Sequence, residues 1–79
     1  MNSPGIDKKI QKIFKDLFNE DDVSLETSFK DVAQWNSLGH IDLINALEKE
    51  FSVYFTFSEL AELTNVNKIA SSLRDKGVL

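Results

Sequence analysis

The sequence predicts an all-α fold, a small four-helix bundle of three longer helices and one short helix, with a long loop between the first two. Two observations indicate this class. Three segments repeat apolar residues at the spacing of an amphipathic helix, and only one segment alternates like a strand. With 79 residues, 42% of them hydrophobic and 28% charged, the chain is expected to form one domain over residues 1–79.

The first helix is predicted to begin with Ser3 as N-cap and Pro4 at its first position. The acidic run over residues 19–22 is unfavourable at a helix C-terminus, so we expect the helix to end there. Lysines occupy the polar face, which is typical of a solvated helix surface. The predicted apolar face consists of Ile6, Ile10, Ile13, Phe14, Leu17 and Phe18.

A long loop is predicted to follow and to run to Gln34. Loops of this length in a small domain need contacts that hold them in place. We expect a short helical turn near residues 28–32, and we expect Trp35 to pack where the loop meets the second helix. Four apolar residues can hold the loop against the core: Val23, Leu25, Phe29 and Val32.

The second helix is predicted to start at Asn36 or Ser37, both of which are residue types preferred at the N-cap. A serine at a helix N-terminus faces unpaired N–H groups and the positive end of the helix dipole, so a phosphate ester on its oxygen is stabilised. The simpler interpretation is that Ser37 only caps the helix. The apolar residues at helical spacing are Leu38, Ile41, Leu43, Ile44, Ala46, Leu47 and Phe51.

Residues 51–57 alternate like a β-strand, but the chain offers no convincing partner strand. We therefore expect an extended connector that directs three apolar side chains inward: Val53, Phe55 and Phe57.

Two helices are predicted after the connector. A short helix is expected over residues 58–63, with Thr56 or Ser58 as its N-cap. A last helix capped by Thr64 is expected to reach about Asp75, with Gly77 near its C′ position. Its predicted buried residues are Val66, Ile69, Ala70 and Leu73.

The composition argues against several classes of function. A net charge of −4 is unfavourable for binding a phosphate backbone, so no nucleic-acid partner is expected. The chain has no cysteine and a single histidine, His40, which leaves no basis for a disulfide or a Cys- or His-rich metal site. No apolar run approaches the roughly 20 residues that span a bilayer, and residues 1–5 lack a signal-peptide pattern. A cytoplasmic protein without a membrane partner is expected.

The segment over residues 36–51 resembles the second helix of acyl carrier proteins and peptidyl carrier domains. In that family an Asp-Ser-Leu triplet opens the helix. Here the Ser-Leu pair is Ser37 and Leu38, and Asn36 stands in place of the aspartate. The acidic run that closes the helix at Phe51 also matches, and the helix order extends the resemblance over nearly the whole chain.

The resemblance implies that Ser37 carries 4′-phosphopantetheine, transferred from coenzyme A by a phosphopantetheinyl transferase. The thiol of this arm would hold an acyl or aminoacyl group as a thioester and carry it between an activating ligase and acyltransferase or synthase enzymes. The chain would be a free-standing, monomeric carrier and not an enzyme. Fatty acid, polyketide and nonribosomal peptide biosynthesis all remain open as its pathway. Family analogy places partner docking on Leu38, Ile41, Asp42, Asn45, Glu48, Glu59 and Glu62.

Two alternatives remain. Asn36 leaves open a carrier-fold protein that is never modified and acts as a protein-interaction module. An unrelated helical interaction domain or small enzyme is the other. Ser37 and His40 are helix neighbours, but a nucleophile–base pair also needs an orienting acid, and Asp42 points to a different face. We expect His40 to lie half-buried near Ser37 or to contact the arm or a partner enzyme.

Overall fold

A computed structural model describes residues 6–79, and the predicted all-α class is confirmed within this range. Three longer helices and one short helix are present, without a β-strand among the described residues. The four elements are α1 (Lys8–Phe18), α2 (Ser37–Phe51), α3 (Phe57–Glu62) and α4 (Val66–Asp75).

The start of α1 differs from the prediction. Ile6 and Asp7 precede the helix, and the Asp7 carboxylate accepts the N–H of Lys9 at 2.7 Å, so Asp7 is the N-cap. Ile6 still packs against the core, although not as part of the helix. The predicted cap residues Ser3 and Pro4 lie outside the described residues.

The end of α1 is where the sequence predicts it. Asn19 adopts a left-handed conformation with φ 55° and its N–H donates to the carbonyl oxygen of Lys15, which closes the helix. The prediction that Leu17 faces the core is wrong, because this side chain is 38% exposed. The buried residues of α1 are Ile10, Ile13, Phe14 and Phe18.

The core lies where the inner faces of α1, α2 and α4 meet. Its centre consists of large side chains that are completely excluded from water, so each contributes roughly 1.5–3 kcal/mol of transfer free energy. Trp35 joins this core from the loop, edge-on to Phe14 with ring centroids 5.2 Å apart. Its packing at the loop–helix junction is as predicted. The central residues are Ile10, Phe14, Leu43, Leu47, Val66, Ile69 and Leu73.

The loop between α1 and α2 is joined to the start of α4 by backbone hydrogen bonds. The N–H groups of Val66 and Asn67 donate to the carbonyl oxygens of Thr27 and Leu25, both at 2.9 Å. These are the first two N–H groups of α4, which have no partner inside the helix. The loop therefore satisfies the N-terminus of α4, a contact that the sequence does not reveal.

The apolar loop residues are buried to different degrees. Val23 and Val32 are buried as predicted and Leu25 packs against the core, but Phe29 is 46% exposed, so its predicted inward placement is wrong. The backbone explains this, because Phe29 pairs its N–H with the Thr64 carbonyl oxygen and its side chain is left at the surface. A hydrogen-bonded turn at 28–31 takes the place of the predicted helical turn.

The connector between α2 and α3 is extended, as predicted. Val53 and Phe55 pack against the core, but Phe57 is 85% exposed, contrary to the prediction. The reason is a capping box: the Thr56 hydroxyl accepts the Glu59 N–H and the Glu59 carboxylate accepts the Thr56 N–H. This box makes Phe57 the first residue of α3 and turns its side chain outward.

The limits of α4 are close to the prediction. Asn65 is its N-cap instead of Thr64, because the Asn65 side chain accepts the N–H of Lys68 at 2.8 Å. At the other end Gly77 lies at C′ with φ 81°, and the N–H of Val78 donates to the carbonyl oxygen of Leu73. This arrangement is a Schellman motif and confirms the predicted role of Gly77.

Among residues 6–79, each helix is too short or too polar to cross a membrane. The same range contains no group of three acidic, histidine or cysteine side chains placed to hold a metal ion.

Candidate functional site

Ser37 is the first residue of α2 and its side chain is exposed. Its neighbour Asn36 is the N-cap, since the Asn36 side-chain oxygen accepts the N–H of Gly39 at 3.0 Å. The interpretation of Ser37 as a simple cap is therefore wrong. The capping is done by Asn36, and the serine hydroxyl remains available at the surface.

The backbone around Ser37 suits an anion. Within the described range, no acceptor is present for the N–H groups of Ser37 and Leu38, whereas those of Gly39 and His40 donate to the Asn36 side chain and carbonyl oxygen. Free N–H groups and the positive end of the helix dipole favour a negative charge at this position. A phosphodiester on the Ser37 oxygen fits this donor set, which supplies hydrogen bonds without a metal ion.

Gly39 allows the chain to approach α2 closely. A Cβ atom at this position would collide with the backbone carbonyl oxygen of Gln34 and lie 3.1 Å from Cε1 of Phe18. Only a residue without a side chain lets the loop, α1 and the first turn of α2 meet here. The sequence analysis does not predict this close approach. A glycine between Leu38 and His40, inside a predicted helix, is the feature that could have indicated it.

Both ring nitrogens of His40 are hydrogen-bonded. The indole N–H of Trp35 donates to Nδ1 at 2.9 Å, and Nε2 lies 2.8 Å from the carbonyl oxygen of Leu60 in α3. Neither nitrogen is free to take a proton from Ser37, so the pair does not form a nucleophile–base constellation. The half-buried position of His40 agrees with the expectation from the sequence.

A recess of about 440 Å³ opens beside Ser37. It lies between the loop, the start of α2 and the end of α3, and it is open to solvent. Aromatic and aliphatic side chains line it together with a few polar groups, the usual make-up of a small-molecule site. The lining residues are Phe29, Trp35, Asn36, Ser37, His40, Ala61, Leu63 and Thr64.

The residues assigned to partner docking fall into two groups. Most are exposed, and the two apolar ones are unusually so: Leu38 is 79% and Ile41 47% exposed. Two apolar side chains outside the core on one helix are a feature typical of contact surfaces. The exposed members of the set are Leu38, Ile41, Asp42, Asn45 and Glu62.

The other two members, Glu48 and Glu59, are half-buried and hydrogen-bonded within the protein. The carboxylate of Glu48 accepts the N–H of Phe55 at 2.9 Å and so holds the connector. The carboxylate of Glu59 accepts the ammonium of Lys76 at 2.9 Å and the N–H of Thr56 at 2.7 Å. The Lys76 hydrogen bond, with the Thr56 N–H, lowers the pKa of the Glu59 carboxyl.

Comparison with known proteins adds three findings. A family described as a phosphopantetheine attachment site matches residues 8–73. The chain is 32% identical over 78 residues to an acyl carrier protein from Petrotoga mobilis, which covers 96% of this chain and 92% of that protein. The solution structure of a holo acyl carrier protein from Geobacter metallireducens matches with a TM-score of 0.77 and 35% identity, covering 85% of this chain and 79% of that one.

Proposed function

The chain belongs to the phosphopantetheine-attachment family that includes the acyl carrier proteins, and we propose that Ser37 is its attachment site. Members of this family are carriers and not enzymes, and their 4′-phosphopantetheine is covalently attached. When bound, this group supplies a thiol that holds an acyl group as a thioester. The cargo proposed for this chain is an acyl or aminoacyl group.

The observation that carries the assignment of Ser37 is its exposed hydroxyl at the first position of α2, with the capping done by Asn36. The free N–H groups of Ser37 and Leu38 stabilise the negative charge of a phosphodiester at this point. The packed core beneath α2 makes the attachment point rigid. This chain's own contribution is thus to present the arm in a fixed position.

Partner docking is proposed for the exposed face of α2. Leu38 and Ile41 offer apolar contacts to a partner. Asp42, which lies beside the exposed Asn45, carries a negative charge that attracts a basic partner surface towards α2. Glu62 extends this surface onto α3. Glu48 and Glu59 act differently in this proposal, since they hold the connector and α3 in place. The partners are a phosphopantetheinyl transferase, an activating ligase and acyltransferase or synthase enzymes.

Intact-mass measurement tests the attachment site. Incubation with coenzyme A and a broad-specificity phosphopantetheinyl transferase is expected to add the mass of one phosphopantetheine to the chain. Ser37→Ala should abolish the gain and leave the helical circular dichroism intact. Ser71→Ala, an exposed serine on α4, is the matched control and should be modified like the wild type.

A mass gain that persists in Ser37→Ala contradicts the assignment. If the wild type gains no mass while a known carrier is modified in the same mixture, the alternative holds. The chain is then an unmodified carrier-fold interaction module, in which Asn36 has replaced the charge that the transferase requires.

The docking surface is tested by the initial rate of the same reaction. Asp42→Lys should slow modification at low salt, and the difference from wild type should shrink as salt increases. Its melting temperature should stay close to that of the wild type, as expected for an exposed position. Lys8→Glu on α1 is the control and should have a much smaller effect on the rate. A larger effect of Lys8→Glu would place docking on another face.

A further inference from the structure

The recess beside Ser37 has a floor made of two rings that are joined edge to edge by a hydrogen bond. Trp35 and His40 lie with ring centroids 6.2 Å apart and planes 17° from parallel. An indole nitrogen only donates and a carbonyl oxygen only accepts, so the Trp35 and Leu60 contacts require His40 as the Nε2–H tautomer. The hydrogen bonds thus form one chain from the loop through α2 to α3.

On the side that faces the core, aromatic side chains of α1 hold the Trp35 ring in place. The Trp35 ring is 2% exposed, packs edge-on against Phe14 and stacks on Phe18 with centroids 6.3 Å apart. Deeper in the molecule, Leu43 and Leu47 are completely buried. Beneath the rings lies packed core, so an acyl chain that passes through this floor has to move them.

Opening the floor carries a penalty that a long apolar chain cannot remove. Displacing His40 leaves the buried indole N–H of Trp35 without its acceptor, while the Leu60 carbonyl oxygen keeps only the N–H of Leu63 at 3.3 Å. An alkyl chain offers no acceptor for this indole N–H. A short acyl group avoids this cost, because the recess above the floor has room for it and opens to solvent.

On the premise that Ser37 carries the arm, we propose that Trp35 and His40 determine cargo specificity by closing the floor of the recess. Short acyl or aminoacyl groups are sheltered in the recess. Longer acyl chains stay in solvent beyond the recess and do not enter the core. The substrate class of this carrier is therefore short-chain cargo.

A chain-length series on the wild type tests this proposal. Acetyl-, butanoyl-, octanoyl- and hexadecanoyl-coenzyme A are used with the transferase to make carriers that differ only in cargo, each checked by intact mass. The melting temperature is expected to level off at butanoyl. Burial of four more methylenes would raise it by about 10 °C or more, so such a rise from butanoyl to octanoyl overturns the proposal.

His40 variants assign the effect to the floor. In His40→Ala the octanoyl carrier should melt higher than the butanoyl carrier, because the floor is open. His40→Gln keeps a donor and an acceptor and should restore the plateau. Lys76→Met removes the ion pair between Lys76 and Glu59 of α3 but leaves the floor intact. This variant should behave like the wild type. Length dependence in Lys76→Met equal to that in His40→Ala would overturn the role of the floor.

The premise and the proposal fail in different ways. If coenzyme A itself adds no mass to the wild type, the proposed function fails. The floor is then tested in the unmodified protein by acrylamide quenching of Trp35, the single tryptophan of the chain. Quenching should be weak in the wild type and stronger in His40→Ala, and equal quenching in both would overturn the closed floor.

Discussion

The helices α2 and α4 begin with the same cap and differ in what lies around it. In α2 the Asn36 side chain accepts the N–H of Gly39, and in α4 the Asn65 side chain accepts the N–H of Lys68. Asparagine is among the best N-cap residues, so both helices start equally well on local grounds. The difference concerns the two N–H groups that come first in each helix.

In α4 these two N–H groups donate to loop carbonyl oxygens, whereas in α2 they have no acceptor among residues 6–79. In α3 the capping box of Thr56 and Glu59 occupies the N–H groups of these two residues, and no acceptor among residues 6–79 is present for those of Phe57 and Ser58. In α2 the free N–H donors lie beside the exposed hydroxyl of Ser37. Although both helices have an asparagine cap, the first two N–H groups of α2 are free to bind an anion, whereas those of α4 are already hydrogen-bonded.

The largest effect is expected at Gly39, the third residue of α2. Gly39→Ala forces a methyl group against the Gln34 carbonyl oxygen, and crowding of this kind destabilises a protein by about 2 kcal/mol. Urea denaturation measures the change. Lys68→Ala is the matched control, because Lys68 is the third residue of α4 and is exposed, and its effect should be below about 0.5 kcal/mol. Equal effects would show that the close approach at α2 is not needed.

An intermediate, pH-dependent effect is expected at the start of α3. The pKa of Glu59 is lowered from its ordinary value of 4.5 by Lys76 and the Thr56 N–H. A carboxyl whose pKa is lower in the folded state stabilises the fold above its unfolded pKa. This stabilisation is lost as pH falls through the folded value. Glu59→Gln should therefore melt below the wild type at pH 7, with the difference shrinking as pH falls below 4.5.

Thermal melts from pH 7 to pH 3 provide this measurement. Glu62→Gln is the control, an exposed carboxylate on the same helix, and its melting temperature should follow that of the wild type. A constant difference between Glu59→Gln and wild type across this range would mean that the ionised form of Glu59 is not what stabilises α3.

The smallest change in stability is expected at the cap of α2. Asn36→Asp keeps an oxygen that accepts the Gly39 N–H, so the free energy of unfolding should change by less than about 1 kcal/mol. The new charge lies beside Ser37, and we expect it to speed modification by a broad-specificity transferase. Initial rates at low salt measure this, with Asn65→Asp at the cap of α4 as control. Identical rates for Asn36→Asp and wild type would make the missing carboxylate irrelevant.

Local pattern was sufficient for most of the fold. Apolar spacing predicts the helices, and the positions of Gly77 and Trp35 follow from a C-cap preference and from a large aromatic residue at a junction. Exposure was harder to predict. Phe29 and Phe57 are hydrophobic and are predicted to lie inside, but a backbone hydrogen bond to Thr64 and a capping box turn them outward. Hydrophobicity indicates average burial, and it contains no information on these contacts.

The sequence by itself determined the all-α class, the family resemblance and the choice of Ser37 as the candidate residue, because these depend on residue types close together in the chain. Only the tertiary structure decided that Asn36 does the capping and that Gly39 admits the loop. It also decided that His40 is hydrogen-bonded to both Trp35 and Leu60. The contacts of Gly39 with Phe18 and of His40 with Leu60 join segments far apart in sequence, and local propensities do not specify such contacts. The cap of α2 is local, but Asn36 and Ser37 are both good cap residues, so propensity alone does not choose between them.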